Sequence, residues 1–319
     1  MNPKIENPEQ LILGIAHGLE VATLEPFVFS LGRSGYRGRT RIFVARKDRK
    51  VREFLVSRGI EVQDFDAARD SMLAGKRFLR MPHQAMRLLE FLALRALQPL
   101  AARDWGRDLY ARLAPLDITA LRYLLYRLFL AGPAAAGVRQ VFLLDIRDVF
   151  FQRDPFDFKA PEEGLACFLE ESDVTIGRCG VNSIWVRTCY GPSGLAAIAD
   201  RGILCSGATL GERGAIERYL DAMIREIATV AGRRFVPHQG LDQACHNHIF
   251  YRSPPAPFIA FENGAGPVIH LDHRPAGRLA FSPEGMLLGD DGQVIHVIHQ
   301  WDRRAAAFQA TIDRIRRAG

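Results

Sequence analysis

Residues 141–148, Val-Phe-Leu-Leu-Asp-Ile-Arg-Asp, decide how this chain is read. Val141 to Leu144 form an apolar run of strand length that passes without a spacer into Asp145 and Asp148. A strand apolar on both sides is buried on both faces, the situation of a parallel sheet covered by helices. Carboxylates at its end fall at the carboxyl edge, where open α/β sheets bind ligands.

The segments upstream agree. Leu11 to Ala16 (LILGIA) is a second buried strand, closed by His17 and Gly18. Leu24 to Leu31 has helical spacing, Arg41 to Ala45 is a strand ending at Arg46, and Val51 to Arg58 is a helix stopped by Gly59. Ile60 to Val62 is a further short strand. Such alternation predicts an α/β fold with a mostly parallel sheet flanked by helices. Downstream, Leu165 to Glu170 and the run Ile184-Trp185-Val186 read as strands. Ala215 to Val230 reads as a helix, and another begins at Leu241-Asp242. The Pro- and Gly-rich stretch from Ser253 to Gly292 reads as loop, Val294 to His299 as a closing strand, and Arg304 to Arg317 as a terminal helix.

The middle of the chain breaks the alternation. Residues from about 71 to 116 are rich in Leu, Arg and Ala and read as a helical insertion in a single domain spanning 1–319. A second helix starts near Asp117, a good N-cap, and ends at Gly132-Pro133. The apolar faces of the insertion suit core packing. Its frequent arginines also suit an interfacial helix on a membrane.

With 48% hydrophobic and 24% charged residues, the chain is too apolar for disorder and too evenly charged for a membrane-embedded protein. Forty-two Lys and Arg against 36 Asp and Glu give a net charge of +6, which favours anionic partners. Nucleic acid is not expected, because no zinc finger, basic-region helix or aromatic RNA-binding signature is present. Five cysteines, an odd number without a C-x-x-C pair, suit buried thiols in a reducing compartment. The polar N-terminus carries no cleavable apolar stretch, and no run reaches the ~18 apolar residues of a membrane span. The expectation is a cytoplasmic protein, with peripheral contact at the inner face of a membrane left open by the insertion.

The candidate chemistry starts at Asp145 and Asp148. Hard divalent cations take carboxylate oxygens and bridge to substrate phosphates. The plainer reading is a strand-end acid that caps the next turn or pairs with Arg147 or Arg153. His296 and His299 fall on opposite faces of the closing strand, so one of them reaches a given ion. Asp242, followed by Gln243, opens a helix and is either an N-cap or a site residue. Ser206 and Gly207 precede a glycine-containing loop, where a missing Cβ lets a ligand approach the backbone; an ordinary turn is the alternative. Ala16, His17 and Gly18 end the first strand and Arg46 the second. Arg122 lies on the helix ahead of the acidic segment, and with Arg147 these arginines suit a diphosphate or simply solvent. Trp301 suits stacking on a base or sugar, or a place in the core. Asp242 and His246 share a helix face with Cys245 and His248 nearby, yet H-E-x-x-H is absent. No G-x-S-x-G elbow is present either.

LLDIRDVFFQRDPF (143–156) resembles the metal-binding segment of GT-A glycosyltransferases. LILGIAHGLE and FVFSLGRSGYRG are similar to the first strand and helix of nucleotide-sugar transferase-like proteins. GILCSGATLGERGAIERYL resembles their S-G-x-x-x-G segment, GLDQACHNHIFY their D-Q-x-x-x-N segment, and VIHVIHQWDR their closing H-Q-aromatic-D-R strand. The five matches come in order and leave the insertion uncovered. One departure is the spacing, D-x-x-D here against D-x-D. The resemblance implies a GT-A fold and transfer of a sugar from a nucleotide-diphosphate donor to a carbohydrate, lipid-linked or protein acceptor. It implies Mn2+ or Mg2+ on Asp145, Asp148 and His299, with His299 fixed by the HQWDR match. It implies Asp242 as the catalytic carboxylate, and Ser206, Gly207, Gln243 and Trp301 on the sugar or acceptor. Ala16, His17, Gly18, Arg46, Arg122 and Arg147 fall to the donor. Two rivals are a sugar nucleotidyltransferase, for which GIAHGLEVA is poor in glycine and basic residues, and a non-catalytic nucleotide- or sugar-binding relative.

Overall fold

The computed structural model describes residues 5–65, 118–158, 161, 163–233, 240–309 and 313. The expected insertion at about 71–116 and the Asp117 cap lie outside these residues. β1 (Asn7–Ala16), α1 (Val21–Arg33), β2 (Gly38–Ala45), α2 (Arg49–Ser57) and β3 (Glu61–Phe65) alternate as the apolar spacing requires. α3 (Ile118–Leu130) leads into β4 (Gln140–Leu144), and β5 (Val149–Phe151) follows the acidic turn. Next come β6 (Leu165–Leu169), α4 (Gly180–Ala196), β7 (Leu204–Glu212), α5 (Arg213–Arg233) and α6 (Leu241–Arg252). The stretch expected as loop carries β8 (Phe258–Phe261), β9 (Val268–His270) and the two-residue strands β10 (Ala280–Phe281) and β11 (Leu287–Leu288); β12 (Val297–His299) follows.

The main sheet has seven strands in the order β3-β2-β1-β4-β7-β6-β8. β1 pairs in parallel with β2 and β4, β2 with β3, and β6 with β8, while β7 runs antiparallel to both β4 and β6. The fold is therefore α/β with a mostly parallel, mixed sheet flanked by helices. From β1 the chain winds outward to β2 and β3, then returns to lay β4 along the other side of β1. That reversal makes the carboxyl ends of β1 and β4 a topological switch point, which leaves a crevice for ligands. His17 leaves β1 there, and Asp145 leaves β4.

Both faces of the sheet's centre are covered, which is why β1 and β4 read as apolar runs. Leu11 and Leu13 of β1 join a core with Tyr123 of α3, Val186 of α4, Tyr219 of α5 and Ala244 of α6. Ile12 and Ala16 join the opposite core with Phe27 of α1 and Leu55 of α2. A smaller sheet, β5-β12-β9, sits at the crevice end. Its register puts His299 opposite Val149 and beside His270. Asp148 directly precedes Val149, so this pairing carries it to His299.

Two further expectations are corrected. Ile184-Trp185-Val186 is not a strand but part of α4. Asn182, Val186 and Cys189 turn inward at helical spacing, while Val181 and Ile184 are exposed. The 3.6-residue period there outweighs the β-branched composition. Ser206 and Gly207 lie within β7, not ahead of a loop. Toward the C-terminus a 3-10 turn spans Trp301–Arg304, and the described residues beyond it, 305–309 and 313, are helical, in keeping with the expected terminal helix. Among the described residues no helix is long and apolar enough to cross a membrane.

The acidic turn passes close over β1, and Gly14 makes the space. A Cβ on Gly14 would meet Ile146 Cγ2 at 2.3 Å and the Leu144 carbonyl oxygen at 3.3 Å, whereas one on Gly32 in α1 meets nothing within 4 Å. Gly14→Ala should therefore destabilise by about 1–3 kcal/mol through overpacking. Gly32→Ala should stabilise by up to about 1 kcal/mol through helix propensity. Urea midpoints of the two variants decide the matter; a shift in the same direction for both contradicts the steric account.

Candidate metal centre

A cavity of about 450 Å³ opens at the switch point. That is the size of a small-molecule site. Of the residues singled out in the sequence, His17, Arg122, Asp145, Arg147, Asp148, Ser206, Gly207, Asp242, Gln243 and His299 line it. The first turns of α4 and α6 also reach it, through Val181, Asn182 and Asp242. Helix N-termini carry partial positive charge and unsatisfied N–H groups, so this wall favours an anion.

The floor is an acid cluster around one imidazole. His299 Nε2 lies 3.4 Å from Asp148 Oδ1 and 3.7 Å from Asp145 Oδ2. One ligand atom from each of the three lies within 4.8 Å of those of the others, so the D-x-x-D spacing does bring both carboxylates to one point. Two carboxylates and an imidazole are a donor set that suits manganese or magnesium. Burial works against the charge of Asp148, but the His299 ring beside it holds it below the usual carboxylate range. Burial likewise opposes a charged His299; Cys205 and Asp148 outweigh it and hold the imidazole well above its ordinary value.

Arg122 supplies the second positive charge. It is buried, pairs with Asp145, donates to Asp242 Oδ2 at 2.8 Å and also donates to the Ser206 carbonyl at 3.2 Å. Ser206 Oγ donates to the same Asp242 oxygen at 3.3 Å. Asp242 is thus held from two sides, and it is not the N-cap: Gly240, at φ 79°, takes that place. Gln243 accepts from Ser206 N–H and donates to the Leu204 carbonyl, both at 2.8 Å, and Asn247 bonds both backbone groups of Leu204. The D-Q-x-x-x-N segment therefore ties α6 to the start of β7. Gly207 gives the cluster its room, since a Cβ there would meet His299 Cε1 at 2.5 Å and Asp145 Oδ2 at 2.6 Å.

Four expected residues fall elsewhere. Ala16 is buried in the core under α1. Gly18 turns the chain at φ 64° and donates its N–H to Asp48 at 3.0 Å. Arg46 is exposed at the end of β2 and is not part of the lining. Trp301 packs on the small core that includes Phe150, Ile269 and Ile298. Arg147 reaches outward along the rim to Asp302 at 3.1 Å. His246 is no metal ligand beside Asp242: its Nδ1 shares a 2.7 Å hydrogen bond with the Tyr219 hydroxyl deep in the core.

Other lining residues were not singled out. Glu170 ends β6 much as Asp145 ends β4, and burial, with Asp272 nearby, pushes its carboxyl up to about 7. A strand-end acid was the available signal. His273 Nε2 stands 3.4 Å from Glu170 and 3.7 Å from Cys179 Sγ, and Trp185 covers Gly240, where a Cβ would meet its ring at 2.1 Å. His273 and Trp185 reach the site from distant segments and leave no local pattern to read. No protein-family model and no curated protein matches the chain, so the chemistry is argued from this geometry and the sequence motifs.

Two stability outcomes follow. Arg122→Met leaves Asp242 buried without its cation and should cost about 3–5 kcal/mol in urea unfolding. Adding Asp242→Asn should recover part of that loss; no recovery contradicts the charge argument. Burial, with Arg122 adding to it, holds His246 down to about 3. The unfolded chain takes a proton there near pH 6.5 that the fold refuses. Stability at this position therefore falls as pH drops from about 6.5 to about 3, by roughly 4 kcal/mol in total. Unfolding free energies of His246→Gln across that range should decline less than those of the wild type; equal declines contradict a neutral buried His246.

Proposed function

We propose that this protein is a metal-dependent glycosyltransferase of the GT-A type, which moves a sugar from a nucleotide-diphosphate donor to an acceptor. The observation that supports it most is the meeting of Asp145, Asp148 and His299 at the switch-point cavity, on the segments that resemble that family. Asp145 and Asp148 would hold the ion through carboxylate oxygens and His299 through Nε2. Bound there, Mn2+ or Mg2+ supplies the positive charge that stabilises a departing diphosphate.

The chain's own residues do the positioning. Arg122 occupies one oxygen of Asp145 and leaves Oδ2 toward His299. The N-termini of α4 and α6 face the space where phosphates and sugar would lie. His17, at the end of β1, serves the nucleotide end. Arg122 and Ser206 Oγ both hold Asp242 Oδ2 in place, so Asp242 is assigned to orienting the reacting sugar.

Nucleotide-sugars titrated into the protein with manganese, alongside a product assay, test the reading. Asp148→Ala should lose metal-dependent transfer by ~100-fold or more while remaining folded. Asp242→Ala should still bind the donor but transfer ~100-fold more slowly. If Asp148→Ala binds and turns over like the wild type, the transferase assignment fails.

A further inference from the structure

His299 presents a different chemistry on each edge of its ring. Nε2 faces the two carboxylates of the cavity. Nδ1 lies 3.0 Å from His270 Nδ1 and 3.6 Å from Cys205 Sγ. The three side chains come from three strands. His299 ends β12, His270 is its register partner on β9, and Cys205 stands near the start of β7. All are buried, at 2%, 1% and 4% exposure, and their ligand atoms lie within 4.8 Å of one another.

Those separations are informative. Around a tetrahedral zinc ion, nitrogens at about 2.0–2.1 Å and a thiolate at about 2.3 Å put N···N near ~3.3 Å and N···S near ~3.6 Å. Thiolate and imidazole are also the softer donors, in contrast to the carboxylates across the ring. We propose that Cys205, His270 and the Nδ1 edge of His299 form a second, buried site for a thiophilic divalent ion of the zinc class, and that filling it denies His299 to the cavity ion.

The exclusion follows from the imidazole. A neutral ring has one in-plane lone pair and one N–H. When Nδ1 ligates the inner ion, Nε2 carries the hydrogen and donates to Asp148, the way carboxylates orient zinc-bound histidines. When Nε2 ligates an ion in the cavity, Nδ1 carries the hydrogen and donates to His270. One neutral ring cannot serve both. Cys205 binds as the thiolate, and its proton is released to solvent as the metal enters. Zinc is thus expected to act against manganese. The site itself rests on donor atoms alone and is independent of the transferase reading.

Cobalt(II) chloride is the probe, because thiolate–cobalt bonds give an intense near-ultraviolet charge-transfer absorption that carboxylate and imidazole ligands do not. The wild type should develop this band with one equivalent of cobalt. Cys205→Ser, which keeps the other four cysteines, should lack it, and its thermal unfolding curve establishes that it is folded. His270→Ala should bind cobalt at least tenfold more weakly, and Asp148→Asn should keep the band. Absence of the band in the wild type, or its persistence in Cys205→Ser, overturns the site. The exclusion is read separately from the cobalt titration at saturating manganese. Manganese should weaken formation of the thiolate–cobalt band at least tenfold in the wild type but not in Asp148→Asn, which lacks a cavity ligand; an unchanged wild-type affinity overturns it. Failure of the transferase reading would appear instead as turnover unaffected by Asp148→Ala, with the cobalt result unchanged.

Discussion

Arg122 is the charge on which the cavity floor depends. Asp145, Asp148 and Asp242 approach one another at the ends of three different elements, and like charges in a water-poor site repel strongly. A single guanidinium from α3 bridges two of them, and its fork lets it hold Asp145, Asp242 and the Ser206 carbonyl together. Asp148 is left to His299. The floor is thus neutralised in two separable parts. Arg122 cannot lose its proton in the accessible pH range, so its half is fixed. The His299 half is exchangeable, because an imidazole can surrender its proton and accept a metal in its place.

Empty space is the second requirement. The acidic turn is sandwiched between Gly14 of β1 and Gly207 of β7, and a methyl group on either would collide with Ile146 on one side or with Asp145 and His299 on the other. Neither glycine needs an unusual backbone conformation; both are there because nothing larger fits. Around this turn the polar backbone at the start of β7 is satisfied by Gln243 and Asn247, so α6 cannot shift without breaking several bonds at once. Rigidity of this kind suits a ligand set that must meet an ion at fixed distance.

The sequence makes some of this visible and hides the rest for physical reasons. β1, β2, β4 and the early helices are legible because each buries both faces or one stripe, and such burial writes itself into local periodicity. Asp145 and Asp148 are legible because they end a strand. Ile184 to Val186 mislead because three apolar residues in a row fit a short strand as well as a helix, and only the i, i+4, i+7 set of Asn182, Val186 and Cys189 separates the two. His270 and Trp185 join the site through register and tertiary packing. No residue near His270 in the chain announces that β9 will lie beside β12. Gln243 illustrates a different gap: it lines the cavity, but both ends of its amide are spent on the backbone of β7.

The central claim is that a hard divalent ion sits between Asp145, Asp148 and His299. Manganese anomalous scattering from crystals soaked in Mn2+ with a nucleoside diphosphate addresses it without reference to turnover. The account predicts one strong peak at the carboxyl ends of β1 and β4, within coordination distance of both aspartates and of His299 Nε2. No peak there at saturating manganese, or a peak whose ligands exclude Asp148, would contradict it.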